Sequence, residues 1–370
     1  MSQADSPSGA AAGLPRGAAA DARLELIREW LARELALAVE RIEPASNDAS
    51  FRRYFRAFHE RGTFIVMDAP PAREDVRPYL KVSALLESLG VHVPHVHESD
   101  PGRGLLLLED LGSAHYLSRL EAGADPEPLY GDALDALADI QARGAAAAGA
   151  LEPYDREPLL REMALMPEWF WSRHLGLALT SEVRETFTQC FEWLTGEALA
   201  QPQVFVHRDY HSRNLMVLER RNPGVIDFQD ALRGPIGYDI VSLLKDCYIA
   251  WPRERVLEWV SEHRMRLAAR GFEACASDRE LTRWVDLIGV QRHLKVLGIF
   301  ARLWYRDGKS GYLRDLPLTL RYVLETCAQH RELAPLGGLL ERRAGPELPR
   351  ANARAAAAVS SRASQPQAAT

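Results

Sequence analysis

The sequence predicts an α+β chain of two lobes, a small one built on a mixed sheet and a larger one that is mainly helical. Three observations predict it. β-favouring runs crowd the first 112 residues and then give way to helical periodicity. That periodicity breaks only at VFVHRD, NLMVLE and GVIDF. The chain has 370 residues, 47% of them hydrophobic, which suits two or three domains or one two-lobed unit with a sizeable core.

Residues 1–20 are Ala, Gly, Ser and Pro with hardly an aliphatic and are expected to form a disordered tail. The small lobe is expected over 21–112. Asp21 is a helix-cap candidate ahead of Leu24, Ile27, Trp30, Leu31 and Leu35, which recur at helical spacing. RRYFRAF and TFIVMDA predict a hairpin across HERG, where Gly62 supplies the turn. Residues 74–89 predict a helix closed by Gly90, and VHVPHVHES and GLLLLEDLG a second strand pair about Asp100, Pro101 and Gly102. The segment LLLLEDLG is expected to be edge-like and to lead into the large lobe, over 113–343. Residues 344–370, ending RANARAAAAVSSRASQPQAAT, are expected to form a second disordered tail.

Forty-five basic residues stand against 51 acidic ones, and the net charge of -6 offers no general attraction to nucleic acid or an anionic membrane. Any anion site must therefore be local. Cys190, Cys247, Cys275 and Cys327 form no CxxC pair, which argues against a disulfide framework or zinc knuckle and for a reducing cytoplasm. No apolar run reaches the roughly 18 to 20 residues that span a bilayer, and no basic segment with an apolar stretch opens the chain.

The chemistry concentrates in VHRDYHSRNLMVL. A charged loop held between two short apolar strands is a place for function. Asp209 and Asn214 stand five residues apart in H-R-D-x-x-x-x-N, and Asp227 follows the next apolar run in I-D-F. This is the layout of phosphoryl transfer, in which one aspartate takes the hydroxyl proton while an asparagine and a second aspartate hold magnesium on nucleotide phosphates. Short oxygen-bearing side chains are what that hard dication needs. Blander readings stand beside it. His207 is expected to hold the loop by hydrogen bonds, and Asp230 is a turn former or a second carboxylate. Asp239, at a helix start, is its cap or an anchor for the loop. His207, Asp209 and His211 as ligands of a metallohydrolase form a competing reading that no second His-rich segment supports.

HRDYHSRNLM together with VIDFQDALRGPIGYDIVSLLKD resembles the aminoglycoside phosphotransferase and choline kinase-like family, whose fold is the two-lobed protein kinase-like one. SNDASFRRYFR, FIVMDAPP, MPEWFWSRHL, DCYIAWP and QRHLKVLGIFARLWYRDGKSGYLRDLPLTLRYV resemble more narrowly its bacterial anomeric kinases of N-acetylmuramate and N-acetylglucosamine. The likeness runs from about residue 22 to 340. It implies ATP and an amino sugar as substrates, Mg2+ as cofactor, and a role in peptidoglycan recycling. It implies Asp209 as base and Asn214 and Asp227 as magnesium ligands. Asn47, Asp48, Ala49, Ser50 and Phe51 fall where the family covers the phosphates with a hairpin loop, here without glycine. Glu109, Asp110 and Leu111 fall at the hinge that meets adenine.

The chain departs from the family on the third strand, where IVMDAPP puts Met67 in place of the usual phosphate-binding lysine. Arg52, Arg53, Arg56 and Lys81 are the candidates to supply that charge. Arg213 is a candidate for the transferring phosphate or for a salt bridge within the loop. In the helix from Gln291 to Trp304, Leu294, Leu297, Phe300, Leu303 and Trp304 make a core face. Gln291, Lys295 and Arg302 are left on a polar stripe that suits a lactyl carboxylate or plain solvent. Trp169, Trp171 and Trp251 are sugar-stacking candidates or core. An antibiotic or other alcohol kinase, and a non-catalytic nucleotide-binding relative, are the competing functions.

Overall fold

The alternation that marks RRYFRAF and TFIVMDA as strands sets the register of a five-stranded sheet. The computed structural model describes residues 16–46, 52–273 and 277–363, and side chains within 22–45, 52–273 and 277–359. Met1–Leu80 with Pro94–Leu111 make one compact unit, and Lys81–Val93 with Gly112–Thr370 the other.

In the small unit, β1 (Val39–Ser46), β2 (Arg53–His59), β3 (Gly62–Asp68), β4 (Val96–Asp100) and β5 (Leu105–Glu109) lie in the order β1-β2-β3-β5-β4. Each of the four pairings is antiparallel, so the sheet is antiparallel throughout and not mixed. Gly62, at φ 135°, lets the β2–β3 hairpin turn. β1 is missing from the sequence reading because VERIEPAS carries the charges of Glu40, Arg41 and Glu43 and a proline, all tolerated at a sheet edge. LLLLEDLG reads as edge-like, but β5 lies inside the sheet between β3 and β4 with Leu105 to Leu108 buried. An unbroken apolar run is what a strand covered on both faces requires.

Helix α1 (Arg16–Glu29) begins ahead of the Asp21 start and continues into a π-helical turn, Trp30–Glu34. Ile27, Trp30 and Leu31 pack on Phe55, Ala57, Val66, Leu105 and Leu107, alternate residues of three strands. Buried Asp68, on that same face, accepts from Arg23 Nε at 2.8 Å and from Arg53 Nε at 2.9 Å, which ties α1 to the sheet. Helix α2 (Arg77–Ser88) follows, and Gly90 at φ 84° closes it.

The larger unit is built of helices α3 (Tyr116–Glu121), α4 (Pro126–Gly144), α5 (Arg156–Met163), α6 (Ser181–Leu199), α7 (Gly237–Leu244), α8 (Arg253–Ala269), α9 (Asp278–Asp307), α10 (Leu316–Gln329), α11 (Ala334–Leu339) and α12 (Gly345–Ala363). Helix α9 runs through it, capped by Ser277 and closed by left-handed Gly308, and is buried around most of its circumference from Val285 to Ala301. Four short strands interrupt the helices: β6 (Gln203–Val206) pairs with β9 (Leu232–Pro235), and β7 (Leu215–Met216) with β8 (Gly224–Val225).

The tail expected over 344–370 is instead helix α12 as far as Ala363, and Leu348, Ala351 and Ala355 are buried in a core cluster with residues of α6, α9 and α10. Leu340, Ala344, Leu348, Ala351 and Ala355 form one helical stripe, and alanine, the best helix former, packs closely where a longer side chain cannot. Asn352 Nδ2 donates to Leu313 O at 3.2 Å, and its Oδ1 lies 2.9 Å from His174 Nε2. The tail expected over 1–20 loses residues 16–20 to α1, and its first 15 residues lie outside those described. Leu348→Ala is expected to destabilise the protein by about 2–5 kcal/mol, the cost of a core leucine truncation. A thermal melt checks this, and an unchanged midpoint contradicts docking of α12.

Candidate active site

Apolar β6 ends at Val206 and β7 begins at Leu215, so HRDYHSRN is the loop between two buried strands. Its backbone folds on itself: His211 N donates to Asp209 O (3.0 Å) and Asn214 N to His211 O (2.8 Å). Arg208 takes a left-handed φ of 78°, a strained conformation for a side chain of its size. Three buried groups hold that shape. Asp239 accepts from His207 N (2.6 Å) and Arg208 N (3.0 Å), Asp246 Oδ2 accepts from Ser212 N (3.0 Å), and Tyr210 donates its hydroxyl to Ala133 O (2.8 Å). Asp239 thus anchors the loop, and no side-chain cap bond forms at the start of α7. Burial pushes its carboxyl up to about 7, against the two backbone N–H groups that favour the ionised form. His207, fully buried, accepts from Asp209 N through Nδ1 at 3.3 Å, the structural part read for it in the sequence. Asp230 is exposed in a turn.

Asp209 is 40% exposed, and Arg292 Nη2 lies 3.9 Å from its Oδ1. Partial burial acts to raise its pKa, but the charges of Arg292 and Lys295 outweigh that and hold the carboxyl at about 2. Arg292 also donates from Nη1 to Arg208 O (2.8 Å) and to the Tyr238 hydroxyl (3.2 Å). Lys295 donates to Tyr238 (3.0 Å) and lies 3.2 Å from Glu162 Oε2, while Arg208 donates to the other Glu162 oxygen. Lys295 therefore reaches the loop as a buried charge already paired with an acid. Gln291, fully buried, donates to the Tyr154 hydroxyl at 3.1 Å. The predicted polar stripe of α9 is interior, and Arg292, one turn before Lys295, is the residue that sequence reasoning missed on it. The i, i+3 spacing was its signal.

Arg302 lies two turns beyond Lys295 and is not brought to the loop; burial lowers its pKa, with Arg306 adding to the effect and Asp307 and Glu168 opposing it. Trp171 is fully buried and donates to Ala178 O, Trp169 packs against the same core, and Trp251 donates to the Tyr130 hydroxyl. These rings meet protein groups, as core residues do.

Asn214 and Asp227 do meet. Asn214 Nδ2 donates to Asp209 O at 2.9 Å and lies 3.4 Å from Asp227 Oδ2. Its amide oxygen is thereby turned away from both and has no partner among the described residues. Asp227 sits at a left-handed φ of 64°, and its Oδ1 accepts from Gln229 Nε2 at 2.9 Å. The amide nitrogen, not its oxygen, faces Asp227 here; with the amide turned over, one carboxylate and one amide oxygen would fit magnesium, which keeps several waters and takes its remaining ligands from phosphates. Among the described residues no group of three or more His, Cys, Asp and Glu is arranged for a metal; His207 is buried and His211 half-buried.

The other residues expected to meet the nucleotide come earlier in the chain. Asn47, Asp48, Ala49, Ser50 and Phe51 lie outside the described residues. Glu109 ends β5 with its N–H on His95 O, Asp110 is held by Arg56 through bonds of 2.6 and 3.0 Å, and Leu111 is buried. The pairing of Tyr54 with Met67 and of Arg53 with Asp68 separates the four cations considered for the missing lysine. Arg53 lies on the α1 face with Asp68, Arg56 is spent on Asp110, and Lys81 donates to Ala150 O. Arg52, by alternation, shares the face of Met67; its side chain is 9% exposed and its Nε lies 3.6 Å from Glu74 Oε1.

Comparison with known proteins gives a consistent result. Residues 41–276 match the model of the phosphotransferase enzyme family. The chain is 48% identical over 297 residues to an N-acetylmuramate/N-acetylglucosamine kinase of Pseudomonas aeruginosa, covering 80% of this chain and 87% of that one. It is 44% identical over 330 residues to a protein of the same name from Pseudomonas putida, covering 86% and 96%. Among solved structures, an aminoglycoside 2'-phosphotransferase-IIIa in complex with GDP superposes with a TM-score of 0.58 at 13% identity, covering 82% of this chain and 99% of that one.

Proposed function

The chain belongs to the phosphotransferase enzyme family, and from that premise we propose that it is an ATP-dependent kinase of N-acetylmuramate and N-acetylglucosamine that phosphorylates the anomeric hydroxyl. The observation that carries the reading is the pairing of Asn214 with Asp227 beside a loop that presents an ionised, surface-reaching Asp209. In this reading Asp209 is the base, and Asn214 and Asp227 hold magnesium. Magnesium supplies positive charge to the phosphate oxygens.

A carboxyl held at about 2 is too weak a base to strip an alcohol beforehand. Asp209 instead orients the hydroxyl and accepts its proton late, as the oxygen bonds to the γ-phosphorus and ADP departs through a loose transition state. The C1 hydroxyl suits such a base, because the ring oxygen makes it more acidic than an ordinary alcohol. The products are the sugar 1-phosphate and ADP, and the setting is the cytoplasm, where cell-wall sugars are recycled.

Arg52 takes the place of the third-strand lysine, with Glu74 fixing its side chain. Arg52→Met is expected to raise the KM for ATP about tenfold or more, because an unpaired phosphate charge loses a charge-assisted hydrogen bond. The KM for sugar should change far less. Initial rates over a matrix of both substrates check this, and an unchanged KM for ATP removes Arg52 from the role. A substrate panel tests the reading as a whole. ADP release with the two amino sugars, and not with choline or aminoglycosides, is the expected pattern; release with aminoglycosides alone favours the antibiotic-kinase alternative.

A further inference from the structure

Arg213 carries a positive charge on the loop that forms no ion pair with an acid among the described residues. Among the described residues no carboxylate oxygen lies within 4.0 Å of it, so the salt bridge considered for it does not form. Its guanidinium carbon lies instead 3.6 Å above the centre of the half-buried Tyr248 ring. That mount is built: Asp246 accepts from Ser212 N through one oxygen and from Tyr248 N, at 3.1 Å, through the other. One buried carboxylate thus locks the residue before Arg213 to the ring beneath it.

Neighbouring side chains on the loop have different partners. Asn214 turns to Asp227, where nucleotide phosphates are expected, and Arg213 to Tyr248. Around Tyr248 lie His211 at 5.5 Å and Phe300 at 6.2 Å between ring centres, and the half-buried Tyr312 lies 5.2 Å beyond Phe300. Asp315, which feels the charge of Arg213, has a buried Oδ2 without a hydrogen-bond partner, while its Oδ1 lies 3.5 Å from Arg314 Nε. Aromatic faces take the C–H face of a pyranose, an unpaired carboxylate oxygen takes its hydroxyls, and a guanidinium takes an anion in a two-pronged hydrogen bond. The two amino sugars differ in one group, the O-linked lactyl carboxylate of N-acetylmuramate. Lys295 is already paired with Glu162, and Arg302 lies away from the loop.

Resting on the amino-sugar kinase reading above, we propose that Arg213, mounted on Tyr248, binds the lactyl carboxylate and sets the preference of the enzyme for N-acetylmuramate over N-acetylglucosamine.

Steady-state kinetics of the full-length protein, Arg213→Gln and Arg213→Lys on both sugars at saturating ATP test this. Arg213→Gln is expected to raise the KM for N-acetylmuramate about thirtyfold, and to lower the ratio of kcat/KM for the two sugars at least about tenfold, as loss of a desolvated charge pair does. Arg213→Lys keeps the charge and is expected to recover part of that ratio. Parallel loss of kcat on both sugars, the signature of a contact to the transferring phosphate, overturns the proposal, and so does an unchanged ratio. Wild-type turnover of neither sugar overturns the amino-sugar reading and the proposal with it, whereas turnover of both with an unchanged ratio in Arg213→Gln overturns the proposal alone.

Discussion

Asp227→Asn is expected to abolish turnover while leaving the thermal midpoint close to that of the parent. Asp227 sits at φ 64°, in the left-handed region. Asparagine tolerates that conformation, whereas alanine there costs about 1–2 kcal/mol, so Asp227→Ala mixes a stability loss with the chemical one. The asparagine keeps size and backbone and removes only the negative charge that a hard dication requires beside Asn214. Excess chelator should silence the parent enzyme to the same degree, with magnesium restoring it. Paired melts and initial rates separate the two effects, and full activity of Asp227→Asn contradicts the metal role.

Asp209→Asn is expected to fold and to bind nucleotide normally, with turnover reduced roughly 10²- to 10⁴-fold, the usual worth of general-base assistance. The amide still accepts one hydrogen bond but cannot take a proton. Because Arg292 and Lys295 hold the Asp209 carboxyl at about 2, against the effect of its burial, the group stays ionised above that pH. An acid limb of the rate profile nearer neutrality therefore belongs to another group. Near-normal turnover of Asp209→Asn removes it from the mechanism.

The parts of this molecule that were legible in its sequence are those in which pattern and chemistry coincide. The hairpin of β2 and β3 could be read because alternation and Gly62 agree. The loop, and the meeting of Asn214 with Asp227, could be read because the spacing of Asp209, Asn214 and Asp227 is that of the proposed reaction. Other features were hidden for physical reasons. β1 gives up the apolar alternation that a sheet edge does not need, and β9, LRGP, is short and ends in proline. Helix α12 draws on alanine, which composition alone counts as too small to hold a core. The setting of Asp209 was hidden because α9 is buried on nearly every side, so its polar residues are interior charges where periodicity suggests a solvent stripe. Arg292, Glu162 and Asp246 lie far from the loop in sequence, and only the fold brings them to it.

The most direct test of the anomeric assignment is phosphorus NMR of the product formed from ATP and each amino sugar. In the proposed mechanism selectivity rests on position, since only the hydroxyl held by Asp209 and in line with the γ-phosphate would react. A phosphorus signal coupled to the anomeric proton, absent when the sugar is reduced or blocked at C1, is the predicted result. A signal coupled to the protons of C6 would contradict the account.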